Sequence, residues 1–184
     1  MGALYLQTER MNLREFAPGD EDNLVALDND PEVMRFISDG VPTPLNVIRN
    51  ETLPMLLRYH ANGNGLGAWA AMDRENGQFL GWFHLRPFEE DVRVLELGYR
   101  FVRHAWGRGL ATEGSRALVA KAFAELGADR VVAKTMRSNR GSRRVMEKAG
   151  LALDSEFVEE RFPGEDKAAV LYSLTRDEFE ARSS

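Results

Sequence analysis

The sequence predicts one mixed α/β domain over residues 1–184, with about seven strands and about four helices. Three observations predict this class. Apolar residues recur at strand spacing in seven short segments, and turn-forming residues join two pairs of these segments as hairpins. Four other segments carry apolar residues at helical spacing. The strands outnumber the helices that could cross between them, and no repeat or linker interrupts the chain.

In the first half of the chain, Pro and Gly separate the predicted elements. Asp20 follows the break at Pro18 and Gly19 and is a candidate cap for the first helix. Pro54 should kink or split the second helix. Residues 31–37 are expected to form a short apolar turn, and residues 38–44 a loop. The predicted elements are a strand at 8–16, helices at 20–29 and 45–60, and strands at 66–72 and 78–85.

In the second half, a strand at 92–102 leads through a glycine-rich turn into an amphipathic helix. The buried stripe of this helix should consist of Leu118, Val119, Ala122, Phe123 and Leu126. Gly127 is suited to the position just after the helix. The remaining predicted elements are a strand at 130–136, a helix at 139–149, and a terminal hairpin of strands at 151–162 and 167–174.

Composition excludes several functional classes. Without cysteine there is no disulfide, thiolate metal site or cysteine nucleophile, and three scattered histidines predict no metal site. No bilayer-spanning apolar run or secretory signal is present, so a cytoplasmic protein without a membrane partner is expected. Residues 103–148 carry +7 and the remainder −12, which suits a small polyanionic ligand better than nucleic acid. A solvated basic helix face is the alternative explanation.

The turn at residues 106–112 has the features of a phosphate cradle. Gly107 and Gly109 remove side chains that would keep a phosphate away, and the following helix offers N–H groups without intrahelical partners. A P-loop is excluded because no Gly-Lys-Ser/Thr occurs. A dinucleotide fingerprint fits poorly because Thr112 stands where its third glycine belongs.

Five motifs follow one another along the chain. They are NDPEV from Asn29, ELGY from Glu96, WGRGLATE from Trp106, NRGSRRVMEKAG from Asn139 and LYSLT from Leu171. In this order they resemble the GNAT superfamily of acyl-CoA-dependent N-acetyltransferases, especially its ribosomal-protein-alanine-acetyltransferase-like (Rim-type) branch. The resemblance implies a GNAT fold with a mixed, mostly antiparallel twisted sheet. It also implies acetyl-CoA as the acyl donor and a primary amine as the acceptor.

Two positions depart from the family pattern. Trp106 stands where the family usually has Gln or Arg, so this side chain lacks the usual polar contact. Binding should survive, since phosphates are held mainly by backbone N–H groups. Met146 stands where many members have a tyrosine that acts as general acid. A non-catalytic module that binds or senses acyl-CoA is therefore the alternative to an enzyme.

The resemblance also implies a set of donor-binding residues. Main-chain N–H groups near Phe101 and Val102 would face the acyl carbonyl, the turn would hold the pyrophosphate, and Asn139 would contact the pantetheine or sulfur region. The donor-binding residues expected are Phe101, Val102, Arg103, Gly107, Arg108, Gly109, Leu110, Ala111, Thr112, Asn139 and Arg144.

The catalytic candidates are Glu96 and Ser142. Glu96 shares a strand face with Val94 and Gly98, where a carboxylate could be partly buried and relay the amine proton through water. The alternative is an exposed carboxylate on an open sheet face. Ser142 is either the donor of a proton to the leaving thiolate or an early-turn helix hydroxyl. Tyr172 is a rival acid, otherwise a core aromatic with a satisfied hydroxyl. With no cysteine, direct attack in a ternary complex is the expected route.

The acceptor is expected to bind at the first two helices, the loop at 38–44 and the terminal hairpin. Resemblance favours a protein N-terminal amine or a small-molecule amine, and the acidic remainder of the chain is compatible with a cationic acceptor. The edge of the terminal hairpin leaves a homodimer open. His84 is expected to be a sheet histidine, and His60 and His104 surface residues.

Overall fold

A computed structural model describes residues 2–59 and 63–183 of the chain. Contacts cluster in two compact units that alternate along the sequence, Met1–His84 with Tyr99–Leu110 and Leu85–Gly98 with Ala111–Ser184. The described residues form eight strands and, with α3 and α4 taken as one helical run, six helices. The expected counts of about seven and about four were too low. A single domain over residues 1–184 stays a prediction.

The elements begin and end as follows. The strands are β1 Leu4–Gln7, β2 Met11–Glu15, β3 Gly67–Asp73, β4 Phe79–Phe88, β5 Asp91–Phe101, β6 Arg130–Met136, β7 Ala152–Val158 and β8 Ala168–Thr175. The helices are α1 Glu21–Asp28, α2 Pro31–Ser38, α3 Leu45–Val47, α4 Leu53–Arg58, α5 Leu110–Ala124, α6 Arg140–Lys148 and α7 Arg176–Ser183. Short 3-10 turns occupy Pro18–Asp20 and Arg103–Ala105.

In the first unit the strand order is β1-β2-β3-β4-β5. β2 pairs antiparallel with both β1 and β3, and its Met11 and Leu13 are completely buried together with Trp69 and Phe83. The predicted strand at 8–16 was too long at its start, because residues 8–10 form the loop between β1 and β2. β1 was missed, since four residues with an exposed Leu4 give little alternation.

The helices of the first unit follow local signals. Residues 31–37, expected to form a turn, belong to helix α2: Asp30 caps it by accepting from the Glu32 N–H at 3.0 Å, and Pro31 stands in its first turn. The next helical run is continuous over residues 45–58 and is not split at Pro54; it contains a π-helical turn at Ile48–Thr52, between α3 and α4, just before the proline. His60, at the predicted end of this helix, lies outside the described residues.

In the second unit the strand order is β4-β5-β6-β8-β7. β5 and β6 run parallel, whereas β8 pairs antiparallel with both β6 and β7, so the sheet is mostly antiparallel as expected. Of the predicted α5 stripe, Leu118, Val119, Ala122 and Phe123 are buried and Leu126 is half-buried. β7 is the edge strand, and all seven of its residues are exposed. A homodimer through this edge stays a prediction.

Helix α7 was not predicted, although the chain carries a signal for it. The hydroxyl of Thr175 accepts from the Glu178 N–H at 3.3 Å, and the Glu178 carboxylate accepts from the Thr175 N–H at 2.8 Å. This reciprocal arrangement is a capping box, which is readable as Thr-x-x-Glu. None of the helices within residues 2–59 and 63–183 is long and apolar enough to cross a membrane.

Candidate functional site

The glycine-rich turn joins the end of β5 to helix α5. Gly107 and Gly109 have φ angles of 72° and 78°, a left-handed conformation that favours glycine. A Cβ added to Gly107 would meet no atom within 4 Å, so the backbone there borders open space. The first N–H groups of the 15-residue helix α5, which begins at Leu110, have no intrahelical partners and favour an anion. The turn therefore fits a phosphate group.

Trp106 points its polar edge back at the protein. Its Nε1 donates to the Phe101 carbonyl oxygen at 2.8 Å, and its side chain is 46% exposed. Phe101 is buried and packs edge-on against Phe83, with ring centroids 5.1 Å apart. The indole thus ties the turn to the end of β5, which a glutamine or arginine in contact with ligand would not do.

One main-chain N–H group near Phe101 and Val102 already donates a hydrogen bond within the protein. The N–H of Val102 donates to the Leu80 carbonyl oxygen at 3.0 Å. That donor is therefore used within the first unit, and the expectation that main-chain N–H groups near Phe101 and Val102 face an acyl carbonyl stays a prediction. Gly81 was missed by the sequence analysis: a Cβ there would lie 2.2 Å from the Arg100 carbonyl oxygen, so β4 approaches β5 too closely for any side chain. A glycine inside a strand was the available signal.

A cavity of about 290 Å³ lies in the first unit beside the start of the turn. Its lining residues are Ala26, Leu27, Asp30, Val33, Val102, Arg103 and His104. Arg103 forms an ion pair with Asp30, with Nε and Oδ2 3.1 Å apart. The cavity therefore combines an apolar floor from α1 and α2 with charged groups at its edge.

Glu96 lies in the second unit on β5, opposite Val132 of β6. It is only 8% exposed, which confirms the burial predicted for it. Its Oε2 accepts from Arg86 Nε at 2.8 Å and lies 2.7 Å from Arg86 Nη2. Oε1 has no hydrogen-bond partner among the described residues. One carboxylate oxygen is thus anchored by a cation, while the other can accept a proton.

A second carboxylate in this unit is strongly held. Glu159 accepts from Arg161 Nε at 3.0 Å and from Lys134 Nζ at 3.1 Å. The hydrogen bonds from Arg161 and then Lys134 lower the pKa of Glu159 to about 2. Glu159 is therefore anionic at working pH, and it links the segment after β7 to β6.

Asn139 and Ser142 meet at the start of helix α6. Asn139 is the cap, and its Oδ1 accepts from the Ser142 N–H at 3.1 Å. This leaves the Nδ2 amide of Asn139 as its donor group. Ser142 occupies the first turn and is half-buried, as the structural alternative for this residue requires.

Tyr172 is a core aromatic with a satisfied hydroxyl, the alternative to its role as a general acid. Its ring is 1% exposed. The hydroxyl donates to Glu147 Oε1 at 2.9 Å and accepts from Arg143 Nε at 3.1 Å. Because the proton is already directed to a carboxylate, Tyr172 is poorly placed to donate it to a leaving group.

Three cations on helix α6 have no ion pair within the described residues, unlike most of the other basic residues at 103–148. Arg103, Lys121, Arg130, Lys134 and Arg137 form ion pairs within 3.6 Å. Arg140, Arg144 and Lys148 are exposed, and their side chains have no ion pair or hydrogen bond within the described part of the chain. Spaced four residues apart, they lie on one side of α6. This side suits a phosphate.

The predicted site residues divide between the two units. Phe101, Val102, Arg103, Gly107, Arg108, Gly109 and Leu110 lie in the first, whereas Glu96, Ala111, Thr112, Asn139, Ser142 and Arg144 lie in the second. His84 lies half-buried in β4 and His104 is exposed, both as predicted. No group of three or more His, Asp or Glu residues within 2–59 and 63–183 is placed to hold a metal ion.

Comparison with known proteins gives a consistent result. A family model described as an acetyltransferase (GNAT) domain matches residues 10–152. The FsC-acetyl coenzyme A-N(2)-transacetylase of Aspergillus fumigatus is 34% identical, over 95% of this chain and 77% of that protein. A putative ribosomal N-acetyltransferase of Bacillus subtilis, YdaF, is 28% identical over 94% of both chains. The structure of RimL, a ribosomal L7/L12 α-N-protein acetyltransferase in complex with coenzyme A, has the same fold, with a TM-score of 0.78, 17% identity and coverage of 96% and 99%.

Proposed function

Since this chain belongs to the GNAT acetyltransferase domain family, we propose that it transfers an acetyl group from acetyl-CoA to a primary amine. The observation that carries this proposal is the open left-handed turn at Gly107 and Gly109, at the start of a long helix. Such a turn presents backbone N–H groups to a diphosphate without interference from side chains. Coenzyme A bound to RimL supports this choice of diphosphate.

The donor-binding residues follow from the chemistry of each group. Gly107, Gly109 and the first turn of α5, which contains Ala111 and Thr112, would hold the pyrophosphate. The Nδ2 of Asn139 is suited to a pantetheine carbonyl, because its Oδ1 is occupied by the helix cap. Arg144 would supply charge to a phosphate. The thioester end of acetyl-CoA would lie near Phe101, Val102 and Arg103.

Acetyl-CoA supplies a thioester, whose carbonyl carbon the amine attacks, so that a C–N bond forms and the C–S bond breaks. Glu96 would accept the amine proton through water, with Oε1 as the acceptor and Arg86 holding Oε2. Ser142 would return a proton to the thiolate. Because the chain has no cysteine, acyl transfer through a cysteine thioester is excluded, and direct attack is the remaining route in this scheme.

The acceptor is a protein N-terminal amine, as in the Rim-type branch, or a small-molecule amine. The relatives support an amine in general, since one is named for an N(2)-transacetylase and another acts on a ribosomal protein N-terminus. A non-catalytic acyl-CoA-binding module is the second candidate. It is favoured by Met146, which replaces the tyrosine of many members and is 2% exposed.

Two measurements test the proposal. Incubation with acetyl-CoA and cell extract, followed by mass spectrometry, should reveal acetylated amines that are absent when acetyl-CoA is withheld. Release of free thiol should then follow with the identified amine. Tight binding of coenzyme A without thiol release across N-terminal peptides, polyamines and amino sugars would instead support the binding module. Failure to bind coenzyme A at all would refute both candidates.

A further inference from the structure

Two hairpins of the first unit meet at Arg108 in the glycine-rich turn. From the β1–β2 loop, Arg10 Nη1 donates to the Arg108 carbonyl oxygen at 2.8 Å. From the end of β3, Asp73 Oδ2 lies 3.9 Å from Arg108 Nη2. Residue 108 is therefore held at its main chain by a cation and at its side chain by an anion. The first contact joins residues 98 positions apart in sequence, and no motif predicted either contact.

The main chain of the loop at residues 8–10 is held by one residue, Arg74. Arg74 Nη1 donates to the carbonyl oxygens of Thr8 and Glu9, both at 2.8 Å, and the Arg74 N–H donates to the Arg10 carbonyl oxygen at 3.0 Å. Three consecutive carbonyl groups of the loop are thus satisfied by one arginine. Because these contacts from Arg74 restrain the loop, Arg10 can hold the turn at a small cost in conformational entropy.

The bond from Arg10 controls the direction of a neighbouring donor. A trans peptide is planar, so the carbonyl of Arg108 and the N–H of Gly109 point in opposite directions. With the carbonyl directed towards Arg10, the Gly109 N–H is directed away from it. Gly109 has a φ of 78°, and a Cβ there would lie 3.6 Å from Arg10 Nη2, so this glycine packs under the guanidinium.

We propose that Arg10 is a positioning residue for the donor pyrophosphate. It orients the Arg108–Gly109 peptide so that the Gly109 N–H is presented to phosphate oxygens before the donor binds. The inference rests on the proposed binding of coenzyme A by this turn. Without Arg10 the peptide must be ordered during binding, which lowers affinity by about the worth of one charge-assisted hydrogen bond, roughly tenfold.

Calorimetric titration with coenzyme A and with 3′-dephospho-coenzyme A tests the inference. Arg10→Gln should lower the affinity for both ligands by about tenfold, because both ligands retain the pyrophosphate. Arg10→Lys keeps a charged donor on a long side chain, whereas the glutamine amide is neutral and shorter, so the lysine variant should restore affinity to within about threefold of the parent. Arg93→Gln is the matched control, since it removes an arginine that is paired with Asp129, and it should change neither affinity.

The outcomes separate this inference from the function it rests on. If the parent protein binds neither ligand, the proposed function fails. If the parent binds both and Arg10→Gln binds them equally well, Arg10 does not position the turn. A loss confined to coenzyme A would assign Arg10 to the 3′-phosphate and overturn the inference, as would a lysine variant as weak as glutamine. Should Arg10→Gln not fold, Arg10→Met takes its place, with the same expected loss.

Discussion

Replacing Glu96 by glutamine separates its proposed role as a base from its ion pair. The amide has the same shape and keeps an acceptor for Arg86, but it cannot take up the proton of the amine. A positioned general base contributes about 10²–10⁴-fold to a rate. We therefore expect turnover to fall at least about a hundredfold, which raises the barrier by about 2.7 kcal/mol.

The loss of folding stability should be smaller than this. Glu96 is 8% exposed, but the Arg86 side chain is 42% exposed and can be hydrated once its partner is neutral. The free energy of unfolding should thus fall by about 1–2 kcal/mol, less than for a fully buried pair. A domain of ordinary stability, about 5–15 kcal/mol, would remain more than about 99% folded at 25 °C. Unfolding therefore cannot account for a hundredfold loss of turnover.

The assay is thiol release at saturating amine and acetyl-CoA, with coenzyme A affinity measured by calorimetry on the same samples. Glu96→Gln should lower turnover and leave affinity for coenzyme A within about twofold, because the carboxylate is not among the proposed phosphate contacts. Glu125→Gln is the matched control, since it removes an exposed carboxylate paired with Lys121 on α5. Turnover of Glu96→Gln equal to that of the parent at every pH tested would remove Glu96 from the mechanism.

Four further substitutions, at three positions, test the turn and the fold. Gly107→Val should lower the affinity for coenzyme A, measured by calorimetry, at least about a hundredfold, because the valine side chain enters the open space beside the backbone. Gly107→Ala should lower the free energy of unfolding, measured by thermal unfolding, by only about 1–2 kcal/mol, because alanine must adopt the φ of 72°. Trp106→Phe should lower the free energy of unfolding by about 1 kcal/mol through loss of the Phe101 bond, with coenzyme A affinity within about threefold; a tenfold loss would contradict binding by the backbone. Asp20→Asn should cost about 3 kcal/mol in urea unfolding at pH 7, because Asp20 is 2% exposed and paired with Arg14 at 2.7 Å. Burial alone would raise the pKa of Asp20, but hydrogen bonds from Arg14 and the Ala17 N–H outweigh it and lower the pKa. The stabilisation is therefore complete above the unfolded pKa of about 3.9 and lost as pH falls below it, so the variant should lose less stability than the parent between about pH 4 and pH 2.

Local signals account for what the sequence predicted well. The glycine pair at 107 and 109 and the apolar stripe of α5 each depend on a few neighbouring residues, and the structure contains both. Helix α2 was missed although its signal was equally local. A cap at Asp30 followed by a proline outweighs the shortness of the segment.

Contacts between distant segments explain what the sequence did not predict. The pairing of Glu96 with Arg86 depends on the register of β4 against β5, and a shift of one residue would place the two side chains on opposite faces. The bond from Arg10 to Arg108 depends on where the β1–β2 loop and the glycine-rich turn come together. The bond from the Val102 N–H to the Leu80 carbonyl oxygen depends in the same way on how two segments about twenty residues apart come together.

Donor binding and acceptor binding in the proposed reaction differ in how strictly they require particular amino-acid side chains. In the proposed reaction the donor would be held mainly by main-chain N–H groups, and these need glycine and a helix start rather than a particular side chain. This explains how Trp106 can replace the usual polar residue: its indole bonds to Phe101, and the turn keeps its shape. Recognition of an acceptor would depend instead on side chains, whose substitution can change which amine binds without a change in the turn. The relatives are consistent with this, since one is named for an N(2)-transacetylase and another for the acetylation of a ribosomal protein.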